Sequence, residues 1–531
     1  MKKGSIAILF AAVLGGFFIG MQVPGFKNTI IIDSGDNKLT EVLDIIGNNY
    51  VDSTDMDSII EKCIPKVLSE LDPHSVYIPL KDVEATNADL QSSFSGIGIR
   101  FTIQEDTIHI SDVIRNGPSE KVGLLAGDRI VKVNDTLFVG KVCTNDAAMK
   151  RLKGPKGSYV KLGVKRFGED DLLDFTIRRD EIPVESIEAA YMIDNRWGYV
   201  QVERFAENTF GEFVKALAMF LGNNAEGVIL DLRGNGGGYM SVALEMANQF
   251  LDDDDVIVYT EGVHTVKNVE KANGYGMFRN TPLVVLVDET SASASEIIAG
   301  TIQDNDRGTI VGRRTFGKGL VQQPFTFSDG SVVRLTIARY YTPSGRCIQK
   351  PYTKGDRSDY DKDLLDRYNR GEFFSQDSIH QNDSLAYKTK KGRTVYGGGG
   401  IMPDVFVSSD TADITNYAQT VFARGLVAQF TLKYCDTHRR EMSKHKSYQK
   451  LLSLLEKRPL VDDFVAFAAA KGVERNGPEI KRSYKILQRS LYSNIIYQMQ
   501  GMLEHVKYIN LDDPTVLKAV EILERGEAFP K

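Results

Sequence analysis

The sequence contains few of the residues that build metal sites and disulfide frameworks. Its 531 residues include seven histidines and four cysteines, and no H-E-x-x-H motif. The cysteines lie far apart, without the spacing of a zinc site or the density of a disulfide-rich domain; they are Cys63, Cys143, Cys347 and Cys435. We therefore expect neither a metal nor a cofactor, and a histidine-based catalytic triad has little support.

Basic stretches are equally scarce. The chain has 65 lysines and arginines against 71 aspartates and glutamates, so its formal net charge is −6. This balance offers no basic stripe for a phosphate backbone, and nucleic acid is not expected as a partner. The composition, 42% apolar and 26% charged, is that of an ordinary globular protein. The length indicates three or four domains.

One long apolar run stands at the N-terminus. Lys2 and Lys3 precede an apolar stretch from Ile6 to about Val23. This layout is typical of a signal peptide, or of an anchor near the short end of the ~17–25 residues that span a bilayer. No A-x-A cleavage site is obvious, which favours an anchor at residues 1–24. Because the lysines come first, the rest of the chain is expected outside the cytoplasm, in the periplasm or cell envelope.

The most informative stretch lies between residues 283 and 323. The unbroken apolar run Leu283–Val287 predicts a strand buried on both faces, and the segment S-A-S-A-S leads from it into a helix. A serine at the head of that helix would lie beside N–H groups that could stabilise an oxyanion. Lys318, between Gly317 and Gly319, could take the hydroxyl proton if burial lowers its pKa.

The serine also fits a purely structural role. Ser293-x-x-Glu296 has the spacing of a capping box, in which the serine only satisfies helix N–H groups. What favours catalysis is the set of motifs around it, S-A-S-A-S-E at 291–296 and F-G-K-G-L-V-Q-Q at 316–323. Together they resemble the signature of the C-terminal processing peptidases, which are tail-specific serine proteases.

The resemblance runs from about residue 38 to residue 407, and it implies roles for single residues. It implies that Ser293 is the nucleophile, that Lys318 is its base, and that the Gln322 amide orients the lysine. Asp304, eleven residues after the serine, is a weaker candidate for the third catalytic residue. We favour a solvated helix end as its role.

A glycine-rich turn follows the apolar strand predicted at Gly227–Leu232. The turn reads D-L-R-G-N-G-G-G over residues 231–238, which does not have the G-x-G-x-x-G spacing of a dinucleotide site. It resembles the family segment that supplies half of the oxyanion hole. The resemblance implies a backbone N–H of Gly236 or Gly237, paired with that of Ala294.

Residues 93–180 are predicted to form a β-rich module. The segment from Gly117 to Asn134 resembles the middle of a PDZ domain, a fold that captures an extended chain end by β-augmentation. A plain β-hairpin is the alternative. On the resemblance, the carboxylate-binding loop and strand are Ser95, Gly96, Ile97, Gly98 and Ile99.

The predicted architecture is multidomain α/β. A helical N-terminal region (38–92) contains His74 as a turn residue, and a crotonase-like α/β protease core (185–408) carries a surface insertion (351–391). Within the core, strands are also predicted at Thr309–Gly312 and Val332–Tyr341. The core is expected to place its site at the carboxyl ends of its strands. A helical extension (410–531), with helices predicted over 417–434 and 480–508 among others, would serve packing or dimerisation.

We therefore predict an exported serine endopeptidase that binds protein substrates by their C-terminal tails. One alternative is a non-catalytic PDZ scaffold on an inactive protease core, although the intact serine, lysine and glutamine argue against it. Another is a hydratase-like enzyme on a crotonase fold, which would need a coenzyme A site for which there is no separate signal.

Overall fold

The computed structural model describes residues 37–88, 91–409, 411 and 413–530. The apolar segment expected as a signal peptide or anchor lies outside these residues. Across the described ranges, no helix is long and apolar enough to cross a bilayer. The chain divides into two compact units, residues 1–67 and 68–531.

The first unit is helical where it is described. Its elements are α1 (Lys38–Asn49) and most of α2 (Met56–Ser69). Helix α1 begins after Asn37, whose side chain accepts a hydrogen bond of 3.3 Å from the Thr40 N–H, as an N-cap asparagine does. The sequence predicts helices here, and both are present.

The second unit opens with a strand that the sequence analysis missed, β1 (Val76–Ile78), which is followed by α3 (Leu80–Ala88). Strand β1 is short and pairs with a strand more than 250 positions later in the chain. Its partner is not a sequence neighbour, so local pattern gives little sign of it.

The β-rich module forms an antiparallel sheet, with the strand order β3-β4-β5-β7-β8 and β6 paired to β5. Strand β3 is at the edge of that sheet, and β2 pairs separately with β9. The elements are β2 (Ser93–Gly96), β3 (Ile99–Gln104), β4 (Thr107–Val113), α4 (Pro118–Lys121), β5 (Arg129–Val133), β6 (Thr136–Leu137), α5 (Asn145–Leu152), β7 (Tyr159–Lys165), β8 (Leu173–Arg178) and β9 (Asp180–Pro183).

The α/β core follows. In chain order it contains β10 (Ile187–Ile193), β11 (Trp197–Val202), α6 (Thr209–Gly222), β12 (Gly227–Asp231), α7 (Met240–Asn248), β13 (Val256–Gly262), β14 (Thr265–Lys271), β15 (Leu283–Val287), α8 (Ala294–Asp304), β16 (Thr309–Gly312), β17 (Leu320–Thr326), β18 (Val332–Tyr341), α9 (Ser358–Asn369), β19 (Ala386–Lys388), β20 (Thr394–Tyr396) and β21 (Val405–Phe406).

The central sheet of the core has the order β10-β11-β12-β15-β16-β21. Adjacent strands in this sheet run parallel, except for the antiparallel pair β10 and β11. Every residue of β12 and β15 is buried, which confirms the prediction of a strand covered on both faces. Helices α6, α7 and α8 cover one face. The loops that follow β12 and β15 therefore meet at one edge of the sheet.

A second, antiparallel sheet has the order β1-β18-β13-β14, with β17 also paired to β18. The sequence analysis predicted β18 with its observed bounds, but it missed the hairpin of β13 and β14. Strands β17 and β18 matter for function because they carry Gln322 and Tyr340.

The C-terminal extension is helical, as predicted, and consists of α10 (Asn416–Ala423), α11 (Leu426–Met442), α12 (Tyr448–Leu455), α13 (Leu460–Ala470), α14 (Gly477–Arg482), α15 (Tyr484–Gln500), α16 (Met502–Ile509) and α17 (Pro514–Glu524). The sequence analysis expected unbroken helices over 417–434 and 480–508. Both are interrupted, in part because Gly425 and Gly501 adopt positive φ angles of 62° and 84°, a conformation that ends a helix.

Helix α17 covers the second face of the central sheet. Val516, Ala519 and Leu523 are buried in one cluster with Ile229 and Leu286 of β12 and β15. The packing role expected of the extension is therefore confirmed for this helix, whereas dimerisation stays a prediction.

The segment 351–391 was expected to be a surface insertion, and most of its residues are exposed, although part of helix α9 within it faces inward. Tyr360 and Arg367 of α9 are 5% and 1% exposed. The Arg367 guanidinium donates hydrogen bonds to the carbonyl oxygens of Thr315 (3.0 Å) and Arg314 (2.6 Å). The segment therefore lies mostly at the surface, while the polar groups of a few of its residues are satisfied inside the protein.

Candidate active site

Ser293 stands at the elbow between strand β15 and helix α8. It is half-buried, and its φ of +56° lies in a region that residues other than glycine seldom adopt. Such a conformation costs of order 1–3 kcal/mol and persists only where the surroundings impose it. A Cβ atom placed on Gly237 would lie 2.8 Å from the Ser293 Cβ, so the glycine turn must approach this elbow without a side chain.

Lys318 and Gln322 lie together, as the family resemblance implied. The Lys318 Nζ donates a hydrogen bond of 3.1 Å to the Gln322 Oε1. The Gln322 Nε2 in turn donates one of 2.6 Å to the carbonyl oxygen of His74. Among the described residues, no hydrogen bond joins Lys318 Nζ to Ser293 Oγ, and the lysine is held by the amide instead.

The environment of Lys318 favours its neutral form. Burial, and then the positive charge of Arg334, lowers the pKa of Lys318, while Glu296 and Asp72 oppose the shift. A buried ammonium group loses hydration, and a nearby cation adds repulsion. The lysine can therefore act as a base more readily than an exposed lysine could.

Glu296 connects the backbone of the serine with that of the lysine. It is fully buried, and its Oε2 accepts hydrogen bonds from the N–H groups of Ser293 (2.9 Å) and Lys318 (2.8 Å). Its Oε1 accepts from the Thr315 hydroxyl (2.5 Å) and the Gly317 N–H (2.7 Å). One carboxylate thus joins the elbow to the lysine loop.

Burial raises the pKa of Glu296 to about 7, and the hydrogen bonds from Thr315, Lys318, Gly317 and Ser293 oppose the shift. A buried carboxylate is costly unless its oxygens are satisfied, and here four donors satisfy them. The capping-box spacing noted in the sequence is therefore used, since Glu296 reaches back to the Ser293 N–H. Glu296 also accepts hydrogen bonds from Thr315, Gly317 and Lys318, which a helix cap does not require.

Tyr340 of strand β18 makes a second connection between the same two residues. Its hydroxyl lies 2.6 Å from the carbonyl oxygen of Lys318 and 3.2 Å from that of Ser293. The side chain is 1% exposed, and burial raises its pKa well above the usual value, so the hydroxyl keeps its proton and acts as the donor. The structure therefore ties both the N–H and the C=O groups of Ser293 and Lys318 to two buried side chains.

The candidate N–H groups of the oxyanion hole differ in whether they already donate a hydrogen bond. The Gly237 N–H donates to the Asn235 Oδ1 at 2.8 Å, so it is already committed. This geometry does not support Gly237 as an oxyanion donor. Within the described ranges, the N–H groups of Gly236 and Ala294 have no hydrogen-bond acceptor. Asn235 is fully buried, and its carbonyl oxygen accepts from the Ala292 N–H at 3.0 Å.

Asp304 does not join the site, and the expectation that it is a solvated helix end is wrong. Its carboxylate is 2% exposed and accepts hydrogen bonds from Arg346 Nη2 (2.7 Å) and the Ser344 hydroxyl (2.6 Å). The position at a helix end suggested exposure. The buried Arg346, from a loop 42 positions later, neutralises the charge instead.

His74 lies in a turn, as predicted, and forms part of the wall of the site. Its ring nitrogen lies 2.6 Å from the Tyr360 hydroxyl, and the two rings meet edge to face. Burial, followed by the charge of Lys318, lowers the pKa of His74 to about 4. The ring is therefore neutral at physiological pH and adds no charge beside the lysine. In the part of the chain that the structure describes, no group of His, Cys, Asp and Glu side chains is arranged to hold a metal ion.

The predicted carboxylate loop of the β-rich module has the expected form. Ser95 and Gly96 end strand β2, Ile97 and Gly98 form a loop, and Ile99 begins strand β3. The N–H groups of Ile97 and Gly98 find no acceptor within the described residues. Successive free N–H groups beside an edge strand are typical of a site for a chain-terminal carboxylate.

Sequence reasoning missed Tyr340 and the wider role of Glu296. The motif S-A-S-A-S-E pointed to Glu296, but only as a helix cap. Tyr340 lies in a strand that was predicted correctly, and nothing in its local pattern says that its hydroxyl meets Ser293, 47 positions earlier.

Residues 196–358 match the model of peptidase family S41, residues 95–178 match the PDZ domain, and residues 417–501 match a family of unknown function. The carboxy-terminal processing protease CtpA of Bacillus subtilis is 34% identical over 397 residues, which cover 72% of this chain and 84% of the relative.

A carboxy-terminal-processing protease of Bartonella bacilliformis is 34% identical over 348 residues, covering 63% of this chain and 79% of the relative. A solved photosystem II D1 C-terminal processing protease is 25% identical, covers 70% of this chain and 92% of that chain, and has a TM-score of 0.36. From the extent and identity of the CtpA match, the chain belongs to the carboxy-terminal processing proteases of peptidase family S41.

Proposed function

We propose that this protease is an exported serine endopeptidase with a Ser–Lys dyad, and that its PDZ domain delivers substrates by their C-terminal tails. Ser293 is the nucleophile, Lys318 the base, and Gln322 the residue that orients the lysine. The N–H groups of Gly236 and Ala294 form the oxyanion hole.

The observation that carries the proposal is the shared attachment of Ser293 and Lys318. Both N–H groups donate to the Glu296 carboxylate, and both carbonyl oxygens lie within hydrogen-bond distance of the Tyr340 hydroxyl. Holding two reacting groups in a fixed relation is worth several kcal/mol of barrier. A protein without this chemistry would have little reason to bury a carboxylate for that purpose.

The reaction follows from these positions. The neutral Lys318 Nζ takes the proton of Ser293 Oγ as the oxygen bonds to the substrate carbonyl carbon. The oxyanion that forms is stabilised by the two free N–H groups, and loss of one such donor typically lowers kcat by about 10²–10³. Collapse breaks the C–N bond, and Lys318 returns the proton to the leaving amine. A water molecule, deprotonated by Lys318, then hydrolyses the acyl ester.

Gln322 suits this role because it is neutral. Its Oε1 accepts from the lysine Nζ without the negative charge that would raise the pKa of Lys318. The opposing carboxylate of Glu296 contacts the lysine through its backbone N–H and not through its side chain. The base therefore has an acceptor that directs it and no charged partner that holds its proton.

The tail-binding part of the proposal rests on the PDZ loop. The free N–H groups of Ile97 and Gly98 suit a terminal carboxylate, and the open edge of β3 suits an extended chain. Export is proposed from Lys2, Lys3 and the apolar run that follows them.

The test is turnover of a peptide with a free C-terminus by the wild-type chain, Ser293→Ala and Lys318→Ala. We expect both variants to lose at least about 10³-fold in kcat, since nucleophile and base act as one unit. Covalent labelling by a fluorophosphonate should disappear in Ser293→Ala. Lys354→Ala, at an exposed lysine, is the matched control and should keep wild-type turnover.

Full turnover by either variant would refute the dyad. Tail binding without turnover or labelling in the wild type would favour the non-catalytic scaffold. Equal cleavage of the same peptide with an amidated C-terminus would refute carboxylate recognition by the PDZ loop.

A further inference from the structure

The C-terminal extension contributes one charged side chain to the vicinity of the oxyanion loop. The Arg233 Nη1 lies 3.0 Å from both Asp513 Oδ1 and Asp513 Oδ2. On its other side, the guanidinium donates to Asp231 through Nε (3.0 Å) and Nη2 (2.6 Å). Asp513 lies beyond both the peptidase match and the helical family match, so neither accounts for it.

Arg233 begins the loop that carries Gly236. The next residue, Gly234, donates its N–H to the Asp288 carboxylate at 3.2 Å. Asn235 then donates through Nδ2 to the Val202 carbonyl oxygen at 2.8 Å. Each of the three residues before the free Gly236 N–H is thus held by a hydrogen bond. The hydrogen bond of Arg233 is the one that involves a residue of the C-terminal extension.

The position of Asp513 is fixed by the core itself. It caps α17, because its Oδ1 accepts from the N–H groups of Thr515 and Val516 at 2.9 Å. The same helix packs on the central sheet, where a Cβ on Gly227 would lie 2.8 Å from a Leu523 methyl carbon. The sheet that ends in the oxyanion loop therefore also positions the carboxylate that holds Arg233.

We propose that Asp513 is a positioning residue for the peptidase reaction: through Arg233 it fixes the loop that presents the Gly236 N–H to the oxyanion. The inference rests on the proposed function, because it assumes an acyl-transfer reaction with an oxyanion at that site. It gives the C-terminal extension a role in catalysis as well as in packing.

The surrounding charges allow Asp513 to be substituted without leaving a buried charge unpaired. Arg233 lies between two carboxylates, and Asp231 is 1% exposed. Asp513→Asn leaves the neutral Arg233–Asp231 pair, so no buried charge loses its only partner. Asparagine is also a good N-cap residue, so helix α17 keeps its cap. What is lost is the anionic acceptor for Nη1.

The experiment compares Asp513→Asn with Asp512→Asn in the full chain. Asp512 is the adjacent residue and pairs with Arg489 at 2.9 Å instead. We expect Asp513→Asn to lower kcat about tenfold with little change in KM, which is less than the about 10²–10³-fold of a lost oxyanion donor. Asp512→Asn should keep the wild-type kcat and KM.

A second readout separates positioning from general damage. A peptide aldehyde adds the Ser293 Oγ–H across its C=O bond, and the resulting oxygen lies where the oxyanion forms. Its inhibition constant should rise about tenfold in Asp513→Asn, while the affinity of a tail peptide for the PDZ domain stays unchanged. The pH dependence of kcat should also stay unchanged, because Lys318 keeps its neighbours.

Wild-type kcat in Asp513→Asn, or an equal loss of kcat in Asp512→Asn, would overturn the inference. Neither result would contradict the proposed Ser–Lys dyad. A loss of kcat that only follows the folded fraction would also overturn it. Turnover by Ser293→Ala in the same assay would instead refute the proposed function, so the two failures are distinguishable.

Discussion

The proposed nucleophile–lysine pair and the proposed oxyanion loop are neighbours, yet they are held in different ways. Ser293 and Lys318 are joined by Glu296 and Tyr340, both of which belong to the core and are almost fully buried. The oxyanion loop is held by core residues and by Asp513 of the C-terminal extension. One half of the site is therefore built within the core, and the other depends on a distant part of the chain.

This difference predicts which contacts of the site a related chain without the extension would retain. The attachments of the dyad come from residues 293 to 340, a span inside the peptidase match at 196–358. The second carboxylate on Arg233 comes from outside that match. We infer that the extension adjusts oxyanion stabilisation, whereas the geometry of the dyad is independent of it.

Outside the proposed dyad itself, the largest effect is expected at Glu296. Glu296→Gln keeps the volume but replaces one of the two acceptor oxygens by an NH₂ group, so about half of its four donors lose their acceptor. Because a displacement of about 1 Å can cost about 10²-fold, we expect kcat to fall about 100-fold. Steady-state kinetics on the folded fraction would measure it.

The matched control for Glu296 is Asp304→Asn, which changes another buried carboxylate on the same helix. Asp304 pairs with Arg346 and contacts neither Ser293 nor Lys318. It should lower the melting temperature, since a buried pair is broken, but leave kcat of the folded fraction near wild type. Equal losses of kcat in both variants would contradict a specific role for Glu296.

A smaller effect is expected at Tyr340. Tyr340→Phe removes one hydroxyl donor and retains the ring, so the net loss should be about 0.5–1.5 kcal/mol, or up to about tenfold in kcat. Tyr341→Phe is the control, because neighbouring strand residues point to opposite faces and the Tyr341 ring stacks on Tyr259 instead. If Tyr340→Phe retained the wild-type kcat, Glu296 would be sufficient to hold the pair.

The mildest change concerns pH. Burial and, after it, the charge of Arg334 lower the pKa of Lys318. Because neutral lysine is the proposed active form, kcat/KM should rise with pH through that pKa. Arg334→Gln removes a repulsive cation and stabilises the ammonium form, which raises the pKa. The rising limb of the pH profile should therefore move to higher pH, with lower activity at pH 7 and little change on the alkaline plateau.

Arg339→Gln is the control for the pH prediction, since Arg339 lies on the same strand but is exposed and does not shift the lysine pKa. A profile that shifts to lower pH in Arg334→Gln, or an identical shift in both variants, would contradict Lys318 as the titrating base.

Local sequence pattern was sufficient for much of the fold. The strands Leu283–Val287, Thr309–Gly312 and Val332–Tyr341 have the bounds that were predicted, because apolar runs report burial directly. Pattern was insufficient for β1 and for the hairpin of β13 and β14. Their pairing partners lie elsewhere in the chain, or their side chains are largely exposed, as in β14.

The sequence by itself was sufficient to name the catalytic candidates, because a serine, a lysine and a glutamine lie in motifs that resemble those of a known protease family. It could not determine the partners of their backbone groups. Tertiary structure alone decided that Asp304 is neutralised by Arg346 and that Arg233 meets Asp513 from 280 positions away. A local pattern records whether a residue is buried, but the partner of a buried polar group is set by whichever distant segment the fold brings to it.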